Sequence, residues 1–254
     1  MKEIFDYLKR PYDAETYDRL KDFVALLHSE SQKFNLTGWN SEHEIWRRGV
    51  LDSVYWTALI GHGPEGRCVD IGAGAGFPGI PLKCFFPEIH LTLVESIGKK
   101  ARFLETACTR LFSGGFEVCN LRAEDLAHSS PHRRTCDRAF TRALAGLSTL
   151  HEISLPFLKI GGLAVHLKGT DVYSEIRPAQ KALETLGGRY RAFYSYDLPG
   201  TRADTMPDGE PDGLAAAPSQ PRASEGEVCV LVEKVAATPP RFPRKAGAPF
   251  KHPL

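Results

Sequence analysis

The chain has 254 residues, of which 42% are hydrophobic and 25% are charged, and its formal net charge is +1. This length and composition are typical of a globular protein with one α/β core, or with one core and a small appendage. Because positive and negative charges are nearly balanced, the net charge does not indicate a nucleic-acid or membrane partner. Such a partner would have to be recognised by local charged patches.

The spacing of the cysteines is typical neither of a metal site nor of a disulfide framework. They are spread without a C-x-x-C pair, at Cys68, Cys84, Cys108, Cys119, Cys136 and Cys229. We therefore predict no metal site and a reducing compartment. The N-terminus has frequent charges and no signal-like apolar run, and no later run reaches the roughly 20 apolar residues of a membrane span. We expect a cytoplasmic protein without a membrane partner.

The first quarter of the chain carries apolar residues at helical spacing. Within residues 13–34 they recur at i, i+3, i+4 and i+7, at Leu20, Phe23, Val24 and Leu27. A second periodic stretch runs from Ile45 to Val54. This spacing is typical of amphipathic helices. It predicts a small helical N-terminal appendage at residues 1–62.

From residue 67, short β-rich runs alternate with helical ones. The predicted strands are RCVDI, HLTLVE, FEVCNL, DRAFTRA and GLAVHL, and the helical runs include GKKARFLETACTRLF and EIRPAQKALETLG. Such alternation predicts βαβ units and a mostly parallel sheet with helices on both faces. We expect a Rossmann-like α/β domain at residues 63–235. Two later runs, YRAFYSYDL and EVCVLVEKV, are predicted to complete its sheet.

Two segments near the C-terminus differ in composition from the rest. Residues 199–227 are rich in proline, glycine and acidic side chains and almost lack large apolar residues, so we predict a disordered loop without chemistry. Residues 236–254 contain no acidic side chain and four cations, at Arg241, Arg244, Lys245 and Lys251. They predict a basic C-terminal tail that its prolines keep extended.

The stretch VDIGAGAGFPGIP, residues 69–81, places four glycines directly after the first predicted strand. In an open α/β sheet the ligand lies beyond the carboxyl ends of the strands, where glycines allow a close approach to the backbone. Gly74, Gly76 and Gly79 fit the G-x-G-x-x-G dinucleotide pattern, and Glu95 follows at about the 20-residue spacing of a ribose-binding acid. An NAD-dependent oxidoreductase is therefore one hypothesis.

Two features of this stretch favour a different nucleotide. Asp70 lies just before the turn, which is unfavourable for a pyrophosphate and suits a ligand with an amine. Pro78 and Pro81 indicate a shaped loop and a late helix start. S-adenosylmethionine has a ribose that Glu95 can bind. It also has an ammonium and a sulfonium, which suit the acidic end of the loop at Asp70, so we prefer it as the cofactor. The alternatives are a structural turn at Asp70 and a helix-capping role for Glu95.

The glycine stretch also resembles a known family. VDIGAGAGFPGIPL followed by HLTLVESIGKKARFL is similar to the central signature of the RsmG (GidB) family. Other motifs match in order over most of the chain: FNLTG, VLDS, RAED, FTRALAGL, HLKG and TPPRFPRKAGAPFKHPL. The resemblance implies a class I S-adenosylmethionine-dependent methyltransferase that modifies a guanine N7 in 16S ribosomal RNA. The chain departs from the family in its acidic insertion and at Gly49, where the family often has histidine.

The resemblance implies site residues, partners and a mechanism. Its cofactor contacts, together with the loop residues argued above, are Asp70, Gly72, Gly74, Phe77, Glu95, Ser96, Ala123, Glu124 and Arg142. Ala123 and Glu124 are expected to recognise the adenine edge. The expected partner is 16S rRNA or the small ribosomal subunit, and we expect a monomer.

The candidate catalytic residues are Arg142 and Lys168. Guanine N7 already carries an in-plane lone pair, so its attack on the methyl group needs no general base. Arg142 is expected to orient the guanine or the cofactor carboxylate, and Lys168 to contact the RNA or the base. RNA phosphates are expected to bind Arg241, Arg244, Lys245 and Lys251. A non-catalytic RNA-binding factor is the alternative from another functional class.

Overall fold

The computed structural model describes residues 2–33, 35–198 and 226–254. The chain divides into two compact units, unit 1 (Met1–Asn120) and unit 2 (Leu121–Leu254). The helices of the predicted appendage thus share a unit with the first strands, and the boundary does not fall at residue 62. The predicted loop at 199–227 lies outside the described residues except for its last two, and Glu227 begins a strand.

Unit 1 begins with the helices that the apolar spacing predicts. Their bounds are α1 (Ile4–Tyr7), α2 (Ala14–Ser31), α3 (Glu42–Glu44), a π-helical segment (Ile45–Leu51) and α4 (Asp52–Ile60). The Asp13 side chain caps α2 by accepting hydrogen bonds from the N–H groups of Glu15 and Thr16. Gly61 ends α4 in the left-handed conformation, with φ of +76°.

These N-terminal helices bury their apolar face inside unit 1. The side chains that predicted α2 are fully buried, at Leu20, Phe23, Val24 and Leu27. Burying each such side chain stabilises the fold by about 1.5–3 kcal/mol. The Thr16 hydroxyl donates to the Cys84 carbonyl (3.2 Å), and the rings of Phe5 and Phe85 lie 5.4 Å apart. The N-terminal quarter is therefore part of the core of unit 1.

The rest of unit 1 is a parallel βαβαβ arrangement. Its elements are β1 (Arg67–Ile71), α5 (Gly79–Phe85), β2 (His90–Val94), α6 (Gly98–Leu111) and β3 (Phe116–Cys119). The strands lie in the order β3-β2-β1, and both neighbouring pairs are parallel. The predicted strands of this part are confirmed, and their carboxyl ends lie at one edge.

Unit 2 combines parallel and antiparallel strands. Its elements are α7 (Ala123–Leu126), β4 (Cys136–Arg142), α8 (Leu147–Ser154), β5 (Leu158–Gly169), α9 (Tyr173–Thr185), β6 (Gly188–Tyr196), β7 (Glu227–Lys234) and α10 (Ala248–Lys251). The strand order is β4-β5-β7-β6, in which β4 and β5 are parallel and the other two pairs are antiparallel. The chain therefore has the predicted α/β fold with mostly parallel pairing.

All six cysteines lie among the described residues, are buried as small apolar side chains are, and form no disulfide bond there. Burial raises the pKa of the Cys108 and Cys119 thiols to about 12. These thiols therefore stay protonated at neutral pH and carry no nucleophilic chemistry.

Among the described residues, no helix is both long enough and apolar enough to cross a membrane.

The C-terminal tail differs from the predicted extended arm. Phe242 and Thr238 are buried, and the Arg133 guanidinium donates to the carbonyls of Phe242 (2.8 Å), Thr238 (3.2 Å) and Pro239 (3.3 Å). The buried Lys234 ammonium donates to the Thr238 hydroxyl, and burial lowers its pKa to about 7. Charge and proline content predicted an extended cationic arm, but side chains distant in sequence form hydrogen bonds with its backbone. The tail is part of unit 2.

Candidate cofactor site and nucleic-acid interface

In unit 1 the glycine loop connects β1 with α5. The N–H groups of Gly72 and Ala73 both donate to the Val94 carbonyl, at 2.8 and 3.1 Å. Gly72, Gly74 and Gly76 have φ values of +71°, +57° and +99°. Only glycine adopts this left-handed region without strain, so the glycines are required by the path of the backbone. At these three glycines the loop therefore presents backbone without side chains after the carboxyl end of β1.

Asp70 lies beneath this loop and is fully buried. Its Oδ2 accepts a hydrogen bond from the N–H of Gly79 (2.8 Å), the first residue of α5. A Cβ at Gly79 would lie 2.7 Å from the same oxygen and 2.9 Å from Leu93 Cδ2, which is too close. Asp70 thus fixes the start of α5. This hydrogen bond is the contact expected if Asp70 serves a structural turn. Its role in cofactor binding stays a prediction.

Glu95 follows β2 and joins two loops at this edge. Its Oε2 accepts from the Gly74 N–H (3.0 Å) and its Oε1 accepts from the Ile97 N–H (2.7 Å). The residue is only 6% exposed. A carboxylate has about four lone-pair sites, so oxygens held by two backbone donors can still accept from ribose hydroxyls. The structure brings Glu95 and the glycine loop together, as the parallel strands predict.

Ile97 is a candidate residue that the sequence interpretation passed over. It is 53% exposed, although it is a large apolar residue, and the neighbouring Ser96 is also exposed. An exposed apolar side chain beside an ordered carboxylate can pack against the planar base of a nucleoside. Its position two residues after Glu95 is the signal that could have identified it.

Phe77 has a packed side chain. It is 7% exposed, and its ring lies 5.4 Å from the rings of Phe23 and Trp39. A Cβ at Gly49 would lie 2.6 Å from Phe77 Cζ, so the ring occupies the space that a larger residue at this position would need. Gly49 therefore has a packing role in this chain. A contact between Phe77 and the cofactor stays a prediction.

In unit 2 the two candidate catalytic residues lie at the carboxyl ends of parallel strands. Arg142 ends β4 and is half-buried, and Lys168 is the next-to-last residue of β5. The Lys168 ammonium donates to the Ala145 carbonyl (2.9 Å) and to Glu175 Oε1 (2.7 Å). Glu175 Oε2 accepts from the N–H of Leu147, the first residue of α8 (2.7 Å). Lys168 thus holds the β4–α8 loop, and its contact with RNA stays a prediction.

Ala123 and Glu124 begin α7 and are both buried. Glu124 is 1% exposed, and its Oε1 accepts a hydrogen bond from the Gly247 N–H in the tail (2.8 Å). Glu124 is therefore an ordered carboxylate whose orientation depends on the tail. Its recognition of adenine stays a prediction.

The four predicted RNA-binding residues of the tail fall into two groups. Arg241, Lys245 and Lys251 are exposed. Arg244 instead forms an ion pair with Glu152 in α8, with Nη2 and Oε2 separated by 2.6 Å. Hydrogen bonding to Glu152 raises the pKa of Arg244. Of the four, Arg244 is therefore the one whose charge is neutralised within unit 2, and its RNA contact stays a prediction.

Unit 2 also contains a buried histidine pair that the sequence interpretation did not identify. His166 Nδ1 lies 2.8 Å from the Thr141 hydroxyl, and His151 Nε2 lies 3.2 Å from the Tyr190 hydroxyl. Burial lowers the pKa of His166 to about 3, with a further contribution from the Lys168 charge, and burial lowers the pKa of His151 well below its usual value. Both imidazoles are neutral and fully buried. They are structural groups of the core.

A protein-family comparison matches most of the chain. The model of the GidB family, described as rRNA small subunit methyltransferase G, matches residues 16–198. A relative from Moorella thermoacetica, named ribosomal RNA small subunit methyltransferase G, is 34% identical over 235 residues, covering 92% of this chain and 89% of the relative. A relative of the same name from Oenococcus oeni is 36% identical over 235 residues, covering 91% and 87%.

Among solved structures, the chain is similar to a SAM-dependent O-methyltransferase from Thermotoga maritima. The TM-score is 0.49 at 14% identity, over 73% of this chain and 65% of that chain. The family model and the two relatives, which cover 92% and 91% of this chain, confirm the resemblance that the motifs indicated. This chain belongs to the GidB family, rRNA small subunit methyltransferase G.

Proposed function

We propose that the protein transfers the methyl group of S-adenosylmethionine to N7 of a guanine in 16S rRNA. The observation that carries the proposal is the Glu95 carboxylate, which the N–H groups of Gly74 and Ile97 orient at the carboxyl edge of β1 and β2. This arrangement suits the ribose of a nucleoside cofactor. Membership in a family named for rRNA methylation supports the methyl donor and the substrate.

In unit 1 the proposed cofactor contacts have distinct roles. Glu95 accepts hydrogen bonds from the ribose hydroxyls, and Ile97 packs against the adenine. The bare backbone at Gly72 and Gly74 allows close approach by the amino-acid part of the cofactor. The carboxylate of Asp70 adds negative charge below the loop, which favours an ammonium. When bound, S-adenosylmethionine supplies a methyl group activated by a sulfonium.

In unit 2 the proposal assigns base recognition and orientation. Ala123 donates its backbone N–H to the adenine edge, and Glu124 accepts from the exocyclic amine. Arg142 orients the guanine or the cofactor carboxylate through its planar set of donors. Lys168 contacts RNA near the end of β5. Each of these roles agrees with the position of the residue at a strand end or directly at a helix start.

The proposed chemistry needs alignment and no proton acceptor. Guanine N7 attacks through a lone pair in the plane of the base, so no proton has to be removed. The base gains the positive charge that the sulfonium loses, so charge is moved and not created. Holding nitrogen, methyl and sulfur in line therefore supplies most of the acceleration.

The proposed setting of the reaction follows from its substrate and mechanism. In-line attack by a lone pair needs no Lewis acid, so we expect methyl transfer without a metal ion. We further propose that the protein acts as a monomer. A ribosomal RNA substrate supports a cytoplasmic setting for the proposed activity.

The test of this function is transfer of tritiated methyl from S-adenosylmethionine to RNA. The acceptors are 16S rRNA, small ribosomal subunits and transfer RNA from a strain that lacks its own enzyme, followed by digestion to nucleosides. We expect label in N7-methylguanosine from 16S rRNA. Label in another nucleoside would contradict the proposed position. Tight cofactor binding without label in any RNA would favour the non-catalytic RNA-binding factor, and binding of NAD in its place would favour the oxidoreductase.

The exposed tail cations yield a prediction about salt dependence. Replacing Arg241, Lys245 and Lys251 by alanine is expected to weaken 16S rRNA binding and to reduce the slope of log affinity against log salt by roughly 2–3, since each lost phosphate contact removes about 0.7–0.9. Filter binding between 50 and 200 mM salt measures both quantities. The matched control removes three exposed cations elsewhere in unit 2, at Arg177, Lys181 and Arg189. Equal slopes for the two triple variants would refute the role of the tail.

A further inference from the structure

Side chains distant in sequence fasten the C-terminal tail to unit 2 at several points. Arg133 binds three tail carbonyls, as described above. The Thr149 hydroxyl donates to the Pro249 carbonyl (2.8 Å), and His128 Nε2 lies 2.8 Å from the Pro243 carbonyl. The tail is therefore a defined segment of the fold, and its contacts have fixed directions.

The most strongly charged of these attachments is the ion pair between Arg244 and Glu152. The Arg244 guanidinium donates through Nε to Oε1 (2.9 Å) and through Nη2 to Oε2 (2.6 Å). The Arg244 backbone N–H also donates to Oε1 (2.8 Å). Glu152 is fully buried in α8, so these three donors compensate its loss of hydration. A bidentate pair fixes orientation as well as distance, and it gives the chain at residue 244 a single position relative to α8.

Three residues further along, the tail contacts a proposed cofactor ligand. The Gly247 N–H donates to Glu124 Oε1 (2.8 Å), and Gly247 has a φ of +82°. The Ala248 N–H donates to the Lys245 carbonyl (3.0 Å), and this hydrogen bond closes a turn at residues 245–248, directly after Arg244. Because the turn is short and hydrogen-bonded, the position of Arg244 determines where the Gly247 N–H points.

We infer that Arg244 and Glu152 are positioning residues for the cofactor, which hold Glu124 in its base-recognising orientation through the tail segment from Arg244 to Gly247. This inference rests on the proposed function, since it takes Glu124 as a ligand of the adenine. A buried carboxylate that is already oriented binds without a further ordering cost, whereas one released from Gly247 must be ordered by the ligand. The basic tail thus contributes to cofactor affinity as well as to the proposed RNA contact.

The test uses the full-length protein and S-adenosylmethionine alone. Replacing Arg244 by alanine is expected to lower the affinity, measured by isothermal titration calorimetry, on the order of tenfold. In the methyl-transfer assay, KM for S-adenosylmethionine is expected to rise by more than kcat falls. Arg244→Lys restores one charged donor to Glu152 and should recover part of the affinity. In a Glu124→Ala background, Arg244→Ala should lower the affinity no further, because the residue through which it acts is gone.

Two further variants keep the test decisive. Arg189→Ala removes another ion pair of unit 2, between Arg189 and Glu233 (2.9 Å), and should leave cofactor affinity unchanged. If Arg244→Ala does not fold, Glu152→Gln weakens the same pair while keeping the side-chain volume, and the same loss of affinity is expected. Wild-type affinity in a folded variant of the pair, or additive effects of Arg244→Ala and Glu124→Ala, overturns the inference. A wild-type protein that binds no S-adenosylmethionine overturns the proposed function and this inference with it.

Discussion

Replacing Glu95 by glutamine is expected to lower the affinity for S-adenosylmethionine roughly 10- to 100-fold, although the two side chains have nearly the same shape. Both carboxylate oxygens accept from backbone donors, the N–H groups of Gly74 and Ile97. A glutamine can accept through its oxygen only, so its NH₂ group must face one of these donors. Leaving a buried donor unsatisfied costs about 1–3 kcal/mol, and the ribose loses a charged acceptor as well. The glycine loop and the cofactor site are therefore disturbed together.

Isothermal titration calorimetry of the Glu95→Gln variant measures this effect. The matched control is Glu105→Gln, which makes the same change at an exposed position of α6 and should bind the cofactor as the wild type does. Thermal unfolding of both variants separates a local change from a loss of the fold. An unchanged affinity in Glu95→Gln would refute the ribose role and leave Glu95 as a purely structural link between the two loops.

Acidification from pH 7.5 to pH 5 is expected to lower the free energy of unfolding by about 2 kcal/mol through His166, and His151 adds to this loss in the same direction. His151 and His166 are neutral in the folded state because burial lowers the pKa of both. In the unfolded chain each imidazole has its ordinary pKa near 6.5. Their stabilising contribution is therefore complete above pH 6.5 and is lost as the pH falls toward the folded value, about 3 for His166. His166 contributes about 1.4 kcal/mol per pH unit in this window.

Urea unfolding at several pH values measures this dependence. His166→Gln keeps a polar atom near the Thr141 hydroxyl and does not titrate, so it should remove the His166 contribution to the slope. His62→Gln is the control, since His62 is exposed, and its slope should match the wild type. If His166→Gln retains the wild-type slope, protonation of other groups must account for the acid sensitivity.

The sequence predicted those elements whose pattern depends on local spacing. The run RCVDI coincides with β1, and the run GKKARFLETACTRLF contains α6. Helix α8, which carries Glu152 and His151, was not among the helical runs named from the sequence. The side chains of Glu152 and His151 are fully buried, and their partners, Arg244 and Tyr190, lie 92 and 39 residues away along the chain. A local pattern cannot indicate that such side chains are compensated, so the segment does not resemble a core helix in sequence.

In the candidate site, too, the sequence predicted what depends on local spacing and missed contacts that depend on the fold. Glycines after a strand and an acid after the next strand predicted that Glu95 would lie at the loop, and the 3.0 Å contact with Gly74 agrees. The sequence did not show that Asp70 supports the start of α5, or that Lys168 is engaged by Glu175. Both depend on which donor or acceptor the fold brings within reach of the side chain. The sequence therefore predicted that Glu95 lies beside the glycine loop, whereas the hydrogen-bond partners of Asp70 and Lys168 are known only from the fold.

By itself, the sequence determined the family of this protein, its α/β strand succession, and the edge at which a nucleoside cofactor is proposed to bind. These properties follow from motif order and from hydrophobic periodicity, which are local along the chain. Only the tertiary structure decided that the basic tail is part of unit 2, held by Arg133 and Glu152 and in contact with Glu124. Those contacts join residues about 90 to 125 positions apart, and side-chain hydrogen bonds over such separations exist only once the chain has folded.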